Sequence, residues 1–266
     1  MSLTRTTREE LADRCGVAFS RFLDLSSATP ADIRVGDGAW SAADVATHVL
    51  TVFRRYNDRD LTSRQGLSSS VAGLHEQNDA ELRALAAVSH GQVLEELRTE
   101  WGRFALQDMD MDGVYPFHCG GTIDGYGGWG NMLGELLIHG YDIAMAAGRP
   151  WPLDDRDAVL ILNGVFQVAP GFVDPARTAG VVARVEFRVP GGDPQVLAID
   201  HGRCGVEEAR RAGVRPDVVI GGPAPGLLLS LYQRIGVLAA ARRGVLIRGG
   251  RRPWLALRLT QWFPAF

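Results

Sequence analysis

Trp129-Gly130-Asn131-Met132-Leu133-Gly134-Glu135-Leu136-Leu137-Ile138-His139-Gly140-Tyr141-Asp142-Ile143-Ala144-Met145-Ala146-Ala147 is the stretch on which the fold turns. Met132, Leu133, Leu136, Leu137, Ile143 and Ala144 recur at helical spacing and make one broad apolar face, which predicts a helix from about Trp129 to Ala147. Glu135 and His139 are four residues apart, so their side chains leave the helix one turn apart on the same side. They border the apolar stripe rather than oppose it, as expected at the inner edge of a helical bundle. A carboxylate and an imidazole placed this way can share one ion.

The partner for that pair lies upstream. Ser41 and Asp44 form a capping-box pattern ahead of Val45, Val49, Val52, Phe53 and Tyr56, which predicts a second amphipathic helix. His48 borders its apolar face. Two imidazoles and one carboxylate from two packed helices can converge inside a bundle. That donor set serves catalytic zinc, with a fourth position left open, and it also suits non-haem iron. Asp142, three residues after His139, is placed to orient that imidazole or to sit in solvent. Spacing alone is a weak signal, and an ordinary solvated Glu-His pair is by far the commoner reading of it.

Working outward, Arg8 to Leu25 reads as a first helix ending at Ser-Ser-Ala-Thr-Pro, and Val71 to Phe104 as one long or two shorter helices with Ser89 as an N-cap between them. Tyr115 to Gly130 is dense in glycine and aromatics without periodicity and reads as a loop. Gly148-Arg149-Pro150-Trp151-Pro152 ends the key helix and marks a domain boundary, giving units of residues 1–152 and 153–266. Beyond it, Val181 to Val189 and Gln195 to Asp200 read as a hairpin through Pro190-Gly191-Gly192-Asp193. Asp217 to Ile220 and Val245 to Arg248 read as further strands, and Pro225 to Ala241 and Trp254 to Phe263 as helices. The fold class expected is a mainly α N-terminal unit followed by a smaller α+β unit.

Composition narrows the function. The 266 residues carry a formal charge of −3, so bulk electrostatics favour neither nucleic acid nor an anionic membrane, and a small-molecule partner is expected. All 28 basic residues are arginine, which excludes a Schiff-base lysine and a phosphate-loop lysine. Cys15, Cys119 and Cys204 are too few and too scattered for a disulfide framework, which fits a reducing cytoplasm. The charged N-terminus is unlike a signal peptide, and no apolar run approaches the roughly 20 residues that span a bilayer. Gly127-Gly128-Trp129-Gly130 follows no expected strand and is not a dinucleotide fingerprint.

Several residues remain as weaker candidates. His118-Cys119 is a nominal nucleophile pair, although adjacent residues seldom face one another, and lining a pocket is the better reading. Arg54, Arg55, Arg83 and Arg234 are candidate carboxylate clamps, each more often simply solvated. Trp40 reads as a core anchor beside the metal, while Tyr115, Tyr126 and Trp129 are pocket-shaping or plain packing residues. His75, His90 and His201 have no patterned partners.

Trp40-Ser41-Ala42-Ala43-Asp44-Val45-Ala46-Thr47-His48 resembles the Trp-Ser, helix and His at the start of DinB-like four-helix proteins. Gly134-Glu135-Leu136-Leu137-Ile138-His139-Gly140-Tyr141-Asp142-Ile143-Ala144 resembles the Glu-x-x-x-His-Gly-x-Asp segment of the mycothiol-dependent maleylpyruvate isomerase branch of that superfamily. Pro216-Asp217-Val218-Val219-Ile220-Gly221-Gly222-Pro223, with the strand and helix after it, is similar to the sterol-carrier-like domain that follows in that branch. The resemblance implies a DinB-like four-helix bundle with His48, Glu135 and His139 as metal ligands, usually for zinc, and a sterol-carrier-like α+β domain behind it. It implies mycothiol, a thiol of actinobacteria, as cosubstrate at the open position, with Arg83 and Arg234 as candidates to hold it. The expected activity is an S-transferase or isomerase that joins a metal-activated thiolate to an electrophilic carbon. Thiol exchange on a biosynthetic intermediate and non-catalytic carriage of an apolar ligand are the alternatives. The branch often has an arginine shortly before the metal-binding Glu, and Trp129 to Gly134 contains no charge, which counts against a maleylpyruvate-like dianion.

Overall fold

The computed structural model describes residues 3–36, 39–208 and 215–263. Helix α1 (Arg8–Ser27) leads into a two-stranded ribbon, β1 (Arg34–Val35) and β2 (Trp40–Ser41), and then α2 (Ala42–Asp58). The capping box at the start of α2 is present: Ser41 accepts from the Asp44 N–H at 3.2 Å, and the Asp44 carboxylate accepts from the Ser41 N–H at 2.8 Å. Helices α3 (Val71–Ala84) and α4 (His90–Ala105) follow, separated at Ser89, which caps α4.

Residues 114–130 correct the expectation of an unstructured loop. Strands β3 (Val114–Pro116) and β4 (Thr122–Asp124) form a hairpin, and α5 (Gly125–Ala146) starts four residues earlier than Trp129. Asp124 caps α5 by accepting from the Gly127 N–H at 2.6 Å. The glycines that looked like loop are there for contact with α6 (Asp155–Val168). A Cβ on Gly130 would lie 2.5 Å from the Leu160 carbonyl oxygen, and one on Gly164 would lie 2.7 Å from that of Gly127. Burial against α6 stabilises a helix turn whose intrinsic propensity is poor.

The remaining elements are α7 (Pro175–Thr178), β5 (Val182–Arg188), β6 (Gln195–Asp200), β7 (Arg203–Glu208), β8 (Val218–Gly221), α8 (Ala224–Leu231), α9 (Val237–Arg242), β9 (Leu246–Gly249) and α10 (Leu259–Trp262). They build a five-strand sheet of order β7-β6-β5-β8-β9 in which only the β5–β8 pair is parallel. The expected β5–β6 hairpin is present, in the register Val182 to Asp200. The single helix expected over Pro225 to Ala241 is two, α8 and α9, because Gln233 takes a left-handed φ of 56° and the Arg234 N–H turns back to the Leu229 carbonyl at 2.8 Å. The closing helix is likewise mostly a 3-10 turn over Pro253–Arg258 before α10.

Helices α1, α2, α4 and α5 pack against one another, α6 lies along α5, and α8 packs on α6. The core is continuous from Phe22 and Phe53 through Leu133 and Ile161 to Phe187 and Leu228. No helix among the described residues is long and apolar enough to cross a membrane.

Candidate metal centre

The two helices read from the sequence bring their polar residues to one point. One ligand atom each from His48, Glu135 and His139 lie within 4.8 Å of one another. Glu135 Oε2 stands 3.6 Å from His48 Nε2 and 3.2 Å from His139 Nε2. Donors about 2.1 Å from a tetrahedral cation are separated by about 3.4 Å, so these two edges match such a site without rearrangement. The imidazole rings meet edge to face with centroids 4.9 Å apart, and Trp40 covers His48 at 5.0 Å. Trp40 thus walls the trio, as the sequence suggested.

The surroundings suit a cation. Beyond His139, Asp142 Oδ2 lies 3.4 Å from Nδ1, the ring nitrogen facing away from Glu135. Carboxylates placed behind a ligating imidazole fix its orientation and raise its basicity. Asp142 is itself held side-on by Arg234, whose Nε and Nη2 donate at 2.8 and 2.9 Å. Burial pushes His48 toward the neutral form. Burial also opposes the charge on Glu135, but the two imidazoles hold its carboxyl well below the usual range. For His139 burial is outweighed by Asp142 and Glu135, which carry it above the usual histidine range. A proton shared within a His-Glu-His cluster is what a divalent cation would replace.

The trio forms part of the wall of a cavity of about 750 Å³. Its lining is mixed: Val45, Val52, Met109, Ile123 and Val168 are apolar, while Tyr56, Asn131, Arg55, Arg59, Tyr232 and Arg234 are polar. Tyr56 and Tyr232 are held in the phenol form by burial, reinforced by the Glu135 charge. The chain after Pro152 therefore supplies Val165, Val168, Phe172, Tyr232, Gln233 and Arg234 to the same cavity as the helices before it, the last three from the turn that breaks α8 from α9.

The sequence candidates separate clearly here. Arg234 lines the cavity and Arg83 does not; Arg83 is exposed on α3. Arg54 is paired with Glu96, and Arg55 lines the cavity with its Nε and Nη2 on Glu81. His118 and Cys119 do not form a nucleophile pair. His118 Nδ1 accepts from the Ser68 N–H at 3.0 Å, and burial pushes His118 down to about 4 and the Cys119 thiol up. Trp129 is buried in the core against Phe104, and Tyr126 is absent from the cavity lining, whereas Tyr115 lines it. His75 is exposed where it lines the cavity, His90 bonds to the Ser26 carbonyl, and His201 is exposed.

Sequence reading missed Arg59, Tyr56 as a polar group, Asn131 and Tyr232. Tyr56 follows His48 on the α2 face at a spacing of eight, a signal present in the sequence, and Arg59 is the residue that ends the helix. Tyr232 had none, since its position depends on the break after α8.

No family model and no curated protein sequence matches this chain. Among solved structures, the mycothiol-dependent maleylpyruvate isomerase matches over 98% of both chains with a TM-score of 0.50 and 14% identity. A histidine-to-alanine variant of that enzyme matches over 98% of both chains with a TM-score of 0.49 and 13% identity. A stereoselective inverting sec-alkylsulfatase from Pseudomonas sp. covers 82% of this chain and 32% of its own at a TM-score of 0.34 and 12% identity, too distant to bear on the fold. The first match extends across both halves of the chain, helices and sheet alike.

Proposed function

Starting from that shared fold, we propose that this chain is a mycothiol-dependent enzyme of the isomerase or S-transferase kind, with His48, Glu135 and His139 holding zinc or another divalent metal. The observation that carries the proposal is the convergence of those three donors in the wall of one cavity, in a chain whose whole length follows the fold of a mycothiol-dependent isomerase. The helices before Pro152 are read as a DinB-like four-helix bundle, and residues 153–266 as a sterol-carrier-like α+β unit that closes the cavity with Tyr232 and Arg234.

A divalent cation in this site stabilises the thiolate form of a thiol near neutral pH, which is the nucleophile the chemistry requires. The chain's own residues do the rest. Glu135 would supply the one negative ligand, so a divalent cation held there would keep a net positive charge and favour an anionic sulfur. Asp142, clamped by Arg234, holds the His139 ring in orientation through Nδ1. The apolar walls exclude water, which lengthens the life of a thiolate–electrophile encounter. The bond formed is carbon–sulfur, either by addition to an activated double bond, whose π pair then takes a proton at the neighbouring carbon, or by displacement of a leaving group that departs with its bonding pair. If an added thiol is later expelled the net change is isomerisation, and if it stays the enzyme is a transferase.

The test is a metal assay on purified protein alongside thiol-dependent turnover of electrophilic substrates. His48→Ala and Glu135→Ala are expected to lose metal and turnover together. Full metal content in both variants would remove the assignment.

A further inference from the structure

We infer that Arg59 anchors a carboxylate carried by the electrophilic substrate, at the far end of the cavity from the metal trio. The inference rests on reading that trio as the reacting centre.

Three arginines line the cavity: Arg55, Arg59 and Arg234. Two of them show how an arginine is satisfied in this wall. Arg234 gives Nη1 to the Tyr232 carbonyl at 2.9 Å and its Nε/Nη2 edge to Asp142. Arg55 gives the same Nε/Nη2 edge to Glu81 at 3.1 and 2.5 Å. Arg59 repeats the first half of the Arg234 pattern, donating Nη1 to the Ser63 carbonyl at 2.6 Å. The second half is missing. Its Nε is buried with no acceptor, and among the described residues Arg59 makes no ion pair. Asp60, the adjacent carboxylate, accepts instead from the Thr62 N–H at 2.9 Å and the Thr62 hydroxyl at 2.7 Å.

A planar edge with two parallel donors matches a carboxylate, and a buried N–H without an acceptor is unfavourable. A ligand carboxylate supplies the missing partner. Because Arg55 and Arg234 are already neutralised by Glu81 and Asp142, the wall offers one uncompensated cation. A single anionic group is therefore recognised there, rather than the two of a small dianion.

The position of Arg59 sets the shape of the substrate. It is the residue that ends α2, eleven positions after His48, about 16 Å of backbone rise along the helix. Val52 and Tyr56 lie between them on the same face and line the cavity. The group at Arg59 is thus separated from the reacting carbon by an extended, largely apolar body. Asp79 also lines the cavity, where it is exposed.

The probes are octanoate and octanamide, matched in body and different in head group, titrated calorimetrically into wild type, Arg59→Gln, Arg59→Lys and the exposed control Arg83→Gln. Octanoate is expected to bind at least about tenfold more weakly to Arg59→Gln, as for loss of a charge-assisted pair, with octanamide unchanged and Arg83→Gln like wild type. Equal octanoate affinity in Arg59→Gln and wild type overturns the inference. If Arg59→Gln loses both ligands through misfolding, Arg59→Lys decides: it keeps charge and reach without the two-donor edge. It is expected to lose octanoate several-fold while keeping octanamide, and full retention of octanoate overturns the inference.

Two further arms separate the alternatives. With zinc-loaded protein, N-acetylcysteine and its amide are expected to show no dependence on Arg59; a dependence would assign the carboxylate to the thiol and sink the substrate reading. Repeating the octanoate series on chelator-treated protein removes direct ligation of a metal by the probe. The Arg59 contrast should persist there, so a failure of His48, Glu135 and His139 to hold metal would defeat the proposed function and leave this result standing.

Discussion

Loading the trio with a divalent cation is expected to expel about one proton near neutral pH, and Asp142→Asn should move that linkage in a calculable direction. In the metal-free protein Glu135 is ionised, His48 is neutral because of its burial, and His139 is raised to about 9 once Asp142 and Glu135 outweigh burial. A cation needs His139 neutral, so below that value metal competes with a proton. Proton occupancy falls as pH rises, so apparent affinity climbs about tenfold per pH unit and levels off near 9. At pH 7, two units lower, affinity sits about a hundredfold under its plateau, equivalent to roughly 3 kcal/mol. Asp142→Asn removes the negative charge 3.4 Å from Nδ1, which lowers His139 and moves the plateau to lower pH. The same change weakens the support of the imidazole, and losses of about 10–100-fold are usual for such partners. The two effects oppose each other at pH 7 and separate in a pH series. Calorimetry with zinc in buffers of different ionisation enthalpy counts the protons released. An affinity that is flat from pH 6 to 9, with no buffer dependence, would refute this account of His139.

Acid stability should report His118, whose folded value of about 4 lies under the ordinary 6.5. The unfolded chain takes up the proton first, so His118 contributes stability that is present above about 6.5 and lost as pH falls toward 4, up to about 3 kcal/mol; urea unfolding of His118→Gln should show a flatter profile across that window, and an unchanged slope would contradict the reading. Gly130→Ala places a methyl 2.5 Å from the Leu160 carbonyl oxygen, whereas Gly128→Ala meets only side chains, the nearest at 3.6 Å. The first should cost about 1–3 kcal/mol by forcing α5 from α6, and the second should be neutral or gain up to about 1 kcal/mol; equal effects in thermal unfolding would contradict the contact.

What was legible in the sequence was local. The capping box at Ser41, the 3.6-residue periodicity of α2 and α5, and the four-residue spacing of Glu135 and His139 depend on neighbours along the chain, and the structure brings those residues together as the pattern implied. The errors came where a distant element overrides local preference. Gly125 to Gly130 reads as loop because glycine disfavours helix, but α6 requires small residues at Gly127 and Gly130 to approach closely, and the backbone at Asp110 and Met111 requires one at Gly125. Helix α6 went unread altogether: its buried run from Ala158 to Gly164 contacts α5 on one side and α8 on another, so it lacks the polar face that makes a helix conspicuous. The break between α8 and α9 contains Gly236, the N-cap of α9, but its turning point is Gln233, a residue with no intrinsic preference for a left-handed backbone. Arg83 was chosen from helix position alone, and side-chain direction relative to a cavity is not encoded at that level.

The break at Gln233 has a chemical consequence that ties the two halves of the chain together. Continuing α8 in helical geometry through residue 234 would abolish the turn that returns the Arg234 N–H to Leu229 and brings the guanidinium onto Asp142. Asp142 would then be a mostly buried carboxylate with only an imidazole beside it. Its charge would be less well compensated, and the orientation it imposes on His139 would weaken. The left-handed Gln233 costs on the order of 1 kcal/mol in backbone conformation, while the two-donor clamp it permits is a charge-assisted pair contributing about 1.5–3 kcal/mol. The balance favours the broken helix, and with it a cavity whose wall around His48, Glu135 and His139 depends on residues before and after Pro152 alike. Arg59 stands outside that balance: it has the same guanidinium edge, set by the same kind of carbonyl contact, with the carboxylate still to come.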